Sequence, residues 1–102
     1  MALHKAYPKS GSTCKVTFEL PAEAALGAKT VALVGEFNGW SRGANMMKKN
    51  ADGSFSITLS LKQHCEYQFR YLIDGELWEN DWCADKYARS GYGDCENSVV
   101  IV

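Results

Sequence analysis

Two runs of strict alternation, residues 54–61 and 66–73, constrain this chain more than anything else in it. In the first, Phe55, Ile57, Leu59 and Leu61 fall on one face and Ser54, Ser56, Thr58 and Ser60 on the other. In the second, Tyr67, Phe69, Tyr71 and Ile73 oppose Glu66, Gln68, Arg70 and Leu72. A period of two belongs to a strand with one face buried and the other wet. Residues 13–20 repeat the pattern, with Cys14, Val16, Phe18 and Leu20 on one face. Pro21 ends that run, because it lacks the N–H that a central ladder needs.

The remaining extended pieces are shorter. Residues 30–35 are small and β-branched, as a central strand requires. Residues 46–49, 76–79 and 98–102 complete the set. Asp52-Gly53 and Asp74-Gly75 are turn pairs, since both residue types tolerate positive φ. Residues 22–27 suit a single structured turn, possible as 3₁₀, too short to stand as a helix. Residues 80–97 are polar and read as irregular, and loops of that length are often functional. About seven short strands with turns between them predict an all-β, Ig-like β-sandwich of antiparallel strands over residues 13–102. Residues 1–12 are expected to be a flexible lead-in.

Composition removes several classes of function. At 102 residues the chain is one domain, too short for a (β/α)₈ barrel of about 250 residues. Eleven basic and twelve acidic residues are interspersed, for a net charge of −1. That balance argues against a nucleic-acid partner and against a polybasic membrane anchor. No apolar run approaches the roughly 20 residues of a membrane span. Residues 1–12 hold no signal-like apolar stretch, so the expected compartment is the cytoplasm. The four cysteines, Cys14, Cys65, Cys83 and Cys95, contain no C-x-x-C, so no metal site is expected. In that compartment they read as free thiols, with Cys83 and Cys95 the pair to test for a bridge. The acidic residues Asp74, Glu76, Glu79, Asp81 and Asp85 cluster on turns, where carboxylates serve local hydrogen bonding. His4 and His64 are isolated, and no nucleophile–base pair is evident. No enzyme activity, catalytic residue or cofactor is expected.

Aromatic residues at the ends of turns carry the functional signal. Trp40 follows Asn38-Gly39 and Trp78 follows Asp74-Gly75, each a large flat ring just beyond a β-like run. Carbohydrate recognition needs a flat apolar face for the C–H side of a pyranose. It also needs planar hydrogen-bonding groups for paired hydroxyls. Arg70, on the polar face of its strand, supplies such a group. On pattern alone each tryptophan is as good a core or turn residue, and Arg70 as good a solvated surface residue.

The order and spacing of these pieces resemble a known family. Val31-Ala32-Leu33-Val34-Gly35-Glu36-Phe37-Asn38-Gly39-Trp40 is followed by Tyr67-Gln68-Phe69-Arg70-Tyr71-Leu72-Ile73-Asp74-Gly75 and Trp78. The sequence closes on Asn97-Ser98-Val99-Val100. This is similar to the family-48 carbohydrate-binding module, also called the isoamylase N-terminal or early-set domain. That module precedes the catalytic barrel of glycogen branching and debranching enzymes. It is also the glycogen-binding domain of the AMP-activated protein kinase β subunit. The resemblance covers nearly all of residues 13–102. It implies an early-set sandwich that binds α-1,4-glucan or maltooligosaccharide without catalysis. Trp40 and Trp78 match the stacking tryptophans, and Arg70 matches a basic residue that meets hydroxyls. Asn97 matches an asparagine that does the same, with Glu96 competing for that place by a shift of one. Tyr92 falls near a position that inserts beside the sugar, and Trp82 is a candidate cap. Two residues, Glu76 and Leu77, separate Asp74-Gly75 from Trp78 where the kinase-type module has one. A shift of one residue reverses a strand's faces, which leaves open whether Trp78 faces the site or the core.

A second reading keeps the fold and drops the sugar. The domain would then dock on a glycogen-metabolism enzyme, or form a weak homodimer through an exposed edge strand. Glucan type, chain length and affinity lie beyond the sequence.

Overall fold

The structure, a computed structural model, describes residues 3–9, 11–89 and 96–102. Among these are nine strands: β1 (His4–Ala6), β2 (Thr13–Leu20), β3 (Val31–Gly35), β4 (Lys48–Lys49), β5 (Phe55–Lys62), β6 (Glu66–Ile73), β7 (Leu77–Glu79), β8 (Lys86–Arg89) and β9 (Glu96–Ile101). They form two antiparallel sheets that pack as a sandwich. The first has the order β1-β2-β5-β4. The second has the order β3-β6-β9-β8, with β7 also paired to β6.

The alternating runs close the sandwich. Cys14, Val16, Phe18 and Leu20 of β2 are fully buried and belong to one core with Phe69, Tyr71 and Ile73 of β6. Phe18 meets Phe69 edge-on, with ring centroids 5.0 Å apart, and Phe69 meets Tyr71 at 5.8 Å. These offset geometries suit the quadrupoles of the rings. Strands β2 and β5 pair without a break from Thr13↔Lys62 to Leu20↔Phe55. The chain then changes sheet between β5 and β6. His64 takes φ 62° at that corner, and the His64 N–H donates to the Val102 carbonyl at 2.7 Å.

Three differences from the sequence expectations have local causes. Residues 22–27 hold a short α-helix, α1 (Ala22–Ala25), ended by Leu26 at φ 54°. Ala24 and Ala25 are buried against the core, which stabilises a turn too short to persist alone. The expected lead-in contains β1, which pairs with β2 while Leu3 packs on the core. The expected irregular segment contains β8, paired with β9 from Lys86↔Val99 to Arg89↔Glu96. Lys5 Nζ donates to Asp85 Oδ2 at 2.7 Å, tying β1 to the segment that leads into β8 and so linking the two sheets. Cys14, Cys65 and Cys83 carry free thiols, while Cys95, with the suggested Cys83 pairing, lies outside the described residues. No helix among the described residues is long and apolar enough to cross a membrane.

Candidate functional site

Strand β6 has a fork along one of its sides. Its first half pairs with β9, ending at Phe69↔Ser98. Its second half pairs with β7, beginning at Tyr71↔Glu79. Arg70 stands at the gap between the two. Phe69, Tyr71 and Ile73 point into the core, so Arg70 and Leu72 point outward. Trp78 is opposite Leu72, and cross-strand partners share a face. Trp78 therefore stands on the outer face with Arg70. The extra residue after Asp74-Gly75 is taken up in the turn. Asp74 and Gly75 adopt φ 52° and 71°, and the Glu76 N–H donates to the Ile73 carbonyl at 3.0 Å. Ile73 then pairs with Leu77 and the phase is preserved.

An open pocket of about 240 Å³ lies at the fork, lined by Arg70, Trp78, Glu79, Asn80 and Glu96. Arg70 is held there from one side. Its Nε donates to Asn97 Oδ1 at 2.5 Å, and Asn97 Nδ2 donates to Gln68 Oε1 at 2.9 Å. Both ends of the Asn97 amide are thus engaged, and the side chain is buried. The terminal nitrogens of Arg70 take no partner among the described residues, which leaves a forked donor for the pocket. Trp78 is 36% exposed.

The loop after β3 approaches the same face. Gly35 has ordinary extended backbone, yet a Cβ there would sit 2.6 Å from the Gln68 carbonyl oxygen and 2.8 Å from the Phe37 ring. Only glycine leaves that space. It lets Phe37 fold back against Phe18 and Tyr67, at 5.7 and 6.1 Å between centroids. Asn38 organises the turn that follows. Its Oδ1 accepts from the N–H groups of Gly35 and Ser41, and its Nδ2 donates to the Leu33 carbonyl and to Asn45 Oδ1. Trp40 emerges from this turn at φ 61° and is 39% exposed. Two residues later, the Arg42 guanidinium lies over the Trp78 ring, 5.6 Å from its centroid.

Beneath the fork is a buried polar cluster. Asn80 Nδ2 donates to the Glu96 carbonyl, and Asn80 Oδ1 accepts from both the N–H and the hydroxyl of Ser98. The Asp81 N–H donates to Ser98 Oγ at 2.8 Å. Asp81 is fully buried. Its carboxylate accepts from the Tyr71 hydroxyl at 2.7 Å and from the Cys83 N–H at 2.8 Å, and the Tyr87 hydroxyl donates to its carbonyl. Burial raises the Asp81 carboxyl above its ordinary value, against the pull of the two donated bonds. Burial, together with the Asp81 charge, pushes Tyr71 well above its own. These bonds stitch the end of β7 to β9, two strands that do not pair with each other, and so fix the width of the pocket.

Over residues 14–101 the chain matches the family described as the glycogen recognition site of AMP-activated protein kinase. The chain belongs to this family. It is a member of a glycogen-recognition, carbohydrate-binding family, as the tryptophan motifs imply. Similar proteins include the chloroplastic protein PTST of Arabidopsis thaliana, 32% identical over 77 residues, covering 74% of this chain and 26% of that protein. The Cruciform DNA-recognizing protein 1 of Saccharomyces cerevisiae (strain RM11-1a) is 36% identical over 77 residues, covering 72% of this chain and 14% of that protein. The chain spans about a quarter and a seventh of the length of these two relatives.

Within this glycogen-recognition fold, the structure brings together Arg70, Trp78 and Glu96 at one pocket, with Asn97 behind Arg70. Trp40 is exposed on the neighbouring loop and does not line the pocket. Trp82 is exposed and also outside the lining, and Tyr92 lies outside the described residues. Glu79 and Asn80 line the pocket without having been anticipated. The register of β7 sets Glu79 opposite Tyr71, at the gap beside Arg70, and that register was open until the turn length was known. Arg42 left no sequence signal beyond its closeness to Trp40.

Proposed function

We propose that this domain binds α-glucan, as glycogen, starch or maltooligosaccharide, and does so without catalysis. The observation that carries this reading is that Trp78 and Arg70 share the outer face and line one open pocket. The Trp78 ring stacks on the C–H face of a pyranose. The terminal nitrogens of Arg70 donate to paired hydroxyls, and Glu79, Asn80 and Glu96 add polar partners around the rim. Asn97 acts through Arg70, holding its guanidinium at the angle the pocket needs. Trp40, exposed on the loop that also carries Arg42, offers a second ring for a longer chain. A neutral sugar suits a site where Arg42 and Arg70 are balanced by Glu79 and Glu96. The yeast relative is named for recognising cruciform DNA. A phosphate backbone, however, is met by clustered Lys and Arg, and here 11 basic residues are interspersed with 12 acidic ones.

A small open site of this kind binds in the micromolar to millimolar range, roughly. Trp78→Ala is expected to weaken binding by about tenfold or more, equivalent to ~1.4 kcal/mol. Trp40→Ala is expected to weaken glycogen pull-down as well. The measurements are that pull-down and a fluorescence titration with β-cyclodextrin. Unchanged binding by Trp78→Ala would sink the sugar platform, and failure of the unaltered chain to bind glucan would favour docking on a glycogen-metabolism enzyme or on a second copy.

A further inference from the structure

Arg42 occupies an unusual place for an exposed side chain. Its loop leaves the sheet at Gly35 and returns alongside β3, where Met46 bridges to Ala32. Ala32 is opposite Leu72 across one side of β6, and Leu72 is opposite Trp78 across the other. The loop therefore returns on the side of β6 away from β7, yet the Arg42 guanidinium lies over the Trp78 ring of β7. That ring is the partner this side chain takes among the described residues.

We propose that Arg42 is an internal competitor for the sugar platform. In the free protein it holds the position over Trp78 that a pyranose takes, and glucan binds by displacing it. This inference rests on the α-glucan reading above. The same face of an indole attracts both groups: the cation through the ring quadrupole, the sugar through its apolar C–H surface. One face has room for one of them. Arg42 thereby sets the affinity of the site and keeps a large ring covered while no sugar is bound.

A cation over an exposed ring is worth a factor of roughly two to five in a competing equilibrium. Arg42→Ala and Arg42→Gln are therefore expected to bind β-cyclodextrin roughly two- to fivefold more tightly than the unaltered chain. Arg42→Lys, which keeps a cation but not the planar group, should fall between. In a Trp78→Ala background the Arg42→Ala change should have no effect, because the shared partner is gone. Each protein is titrated by intrinsic tryptophan fluorescence. Affinity in Arg42→Ala and Arg42→Gln equal to that of the unaltered chain overturns the inference, because the guanidinium then covers no surface the sugar uses. Weaker affinity overturns it too, because Arg42 is then itself a sugar contact. If the unaltered chain and every variant fail to bind any glucan, the α-glucan reading falls and takes this inference with it. Binding by the unaltered chain with no gain in the variants sinks the inference alone.

Discussion

Single residues set the geometry of this domain through space and charge. Gly35 is the clearest case of space. Its φ suits any residue, so the demand for glycine comes from the Gln68 carbonyl and the Phe37 ring beside it. Gly35→Ala is expected to cost about 1–3 kcal/mol by overpacking, read as a lower denaturation midpoint with unchanged m. A loss below that range would mean that β3 and the Phe37 turn can shift apart freely. Asp81 is the clearest case of charge. Its carboxyl is raised above 3.8 by burial, so the fold prefers its neutral form. Its contribution to stability is full below about pH 3.8 and declines as pH rises through the raised value. Asp52 and Asp74 act in the opposite sense. The Ser54 hydroxyl and N–H lower Asp52, and the Thr30 and Lys29 N–H groups lower Asp74. Their stabilisation is present above 3.8 and fades as pH falls through their lowered values. Asp81→Asn can keep both bonds, because the Tyr71 hydroxyl can turn to accept from the amide. Above pH 4, the unaltered chain should lose stability relative to Asp81→Asn as pH rises. Parallel stability–pH curves for the two proteins would contradict the buried charge.

At the scale of elements, the long strands were legible from alternation, and the short β4 and β7 from the Asp-Gly turns beside them. Strands β2, β5 and β6 are eight residues each, long enough for a period of two to stand out. Strands β1 and β8 have three and four residues, and their pairing comes from tertiary neighbours that local pattern does not record. The same limit applied to the site. Arg70 was legible as an outward residue because its strand alternates. The face of Trp78 was not, because it depends on how a turn absorbs one residue. Asn97 was legible as part of the constellation but not as a buried one. Its burial comes from the cross-strand bond to Arg70, which depends on a register that the sequence left uncertain by one. The turn at Asp74 also yields a test. Deleting Glu76 leaves Asp74-Gly75 as a two-residue turn between Ile73 and Leu77, a form that such a pair favours. Trp78 would stay opposite Leu72. Retained glucan binding and an unchanged tryptophan emission maximum are expected. Loss of both would mean that the three-residue turn is needed to hold the ring outward.

For the whole molecule, the two sheets are joined by the core and by ties at their edges. The Lys5–Asp85 pair is partly exposed, at 23% and 25% of the side chains. A pair of this kind contributes about 0–1 kcal/mol. Lys5→Ala should therefore shift the melting temperature only slightly. Removing residues 1–11 is different, because it takes away β1 and Leu3 together and bares the edge of β2. The expected result is a fall of about 4–8 °C, near 1 kcal/mol for a domain of this size, with self-association visible by size-exclusion chromatography. An unchanged melt and a monomeric elution would show that β1 adds nothing to the sandwich.

The fork in the second sheet has one more consequence. Strands β7 and β9 lie on the same side of β6 but share no backbone rung. A ligand that touches Trp78 and Glu79 on one branch and Glu96 on the other becomes a bridge between them. Ligand binding to the native state alone stabilises that state by mass action. The effect should concentrate at the gap, so amides at residues 79–81 and 96–98 should exchange with deuterium more slowly when glucan is bound than the rest of the sandwich does.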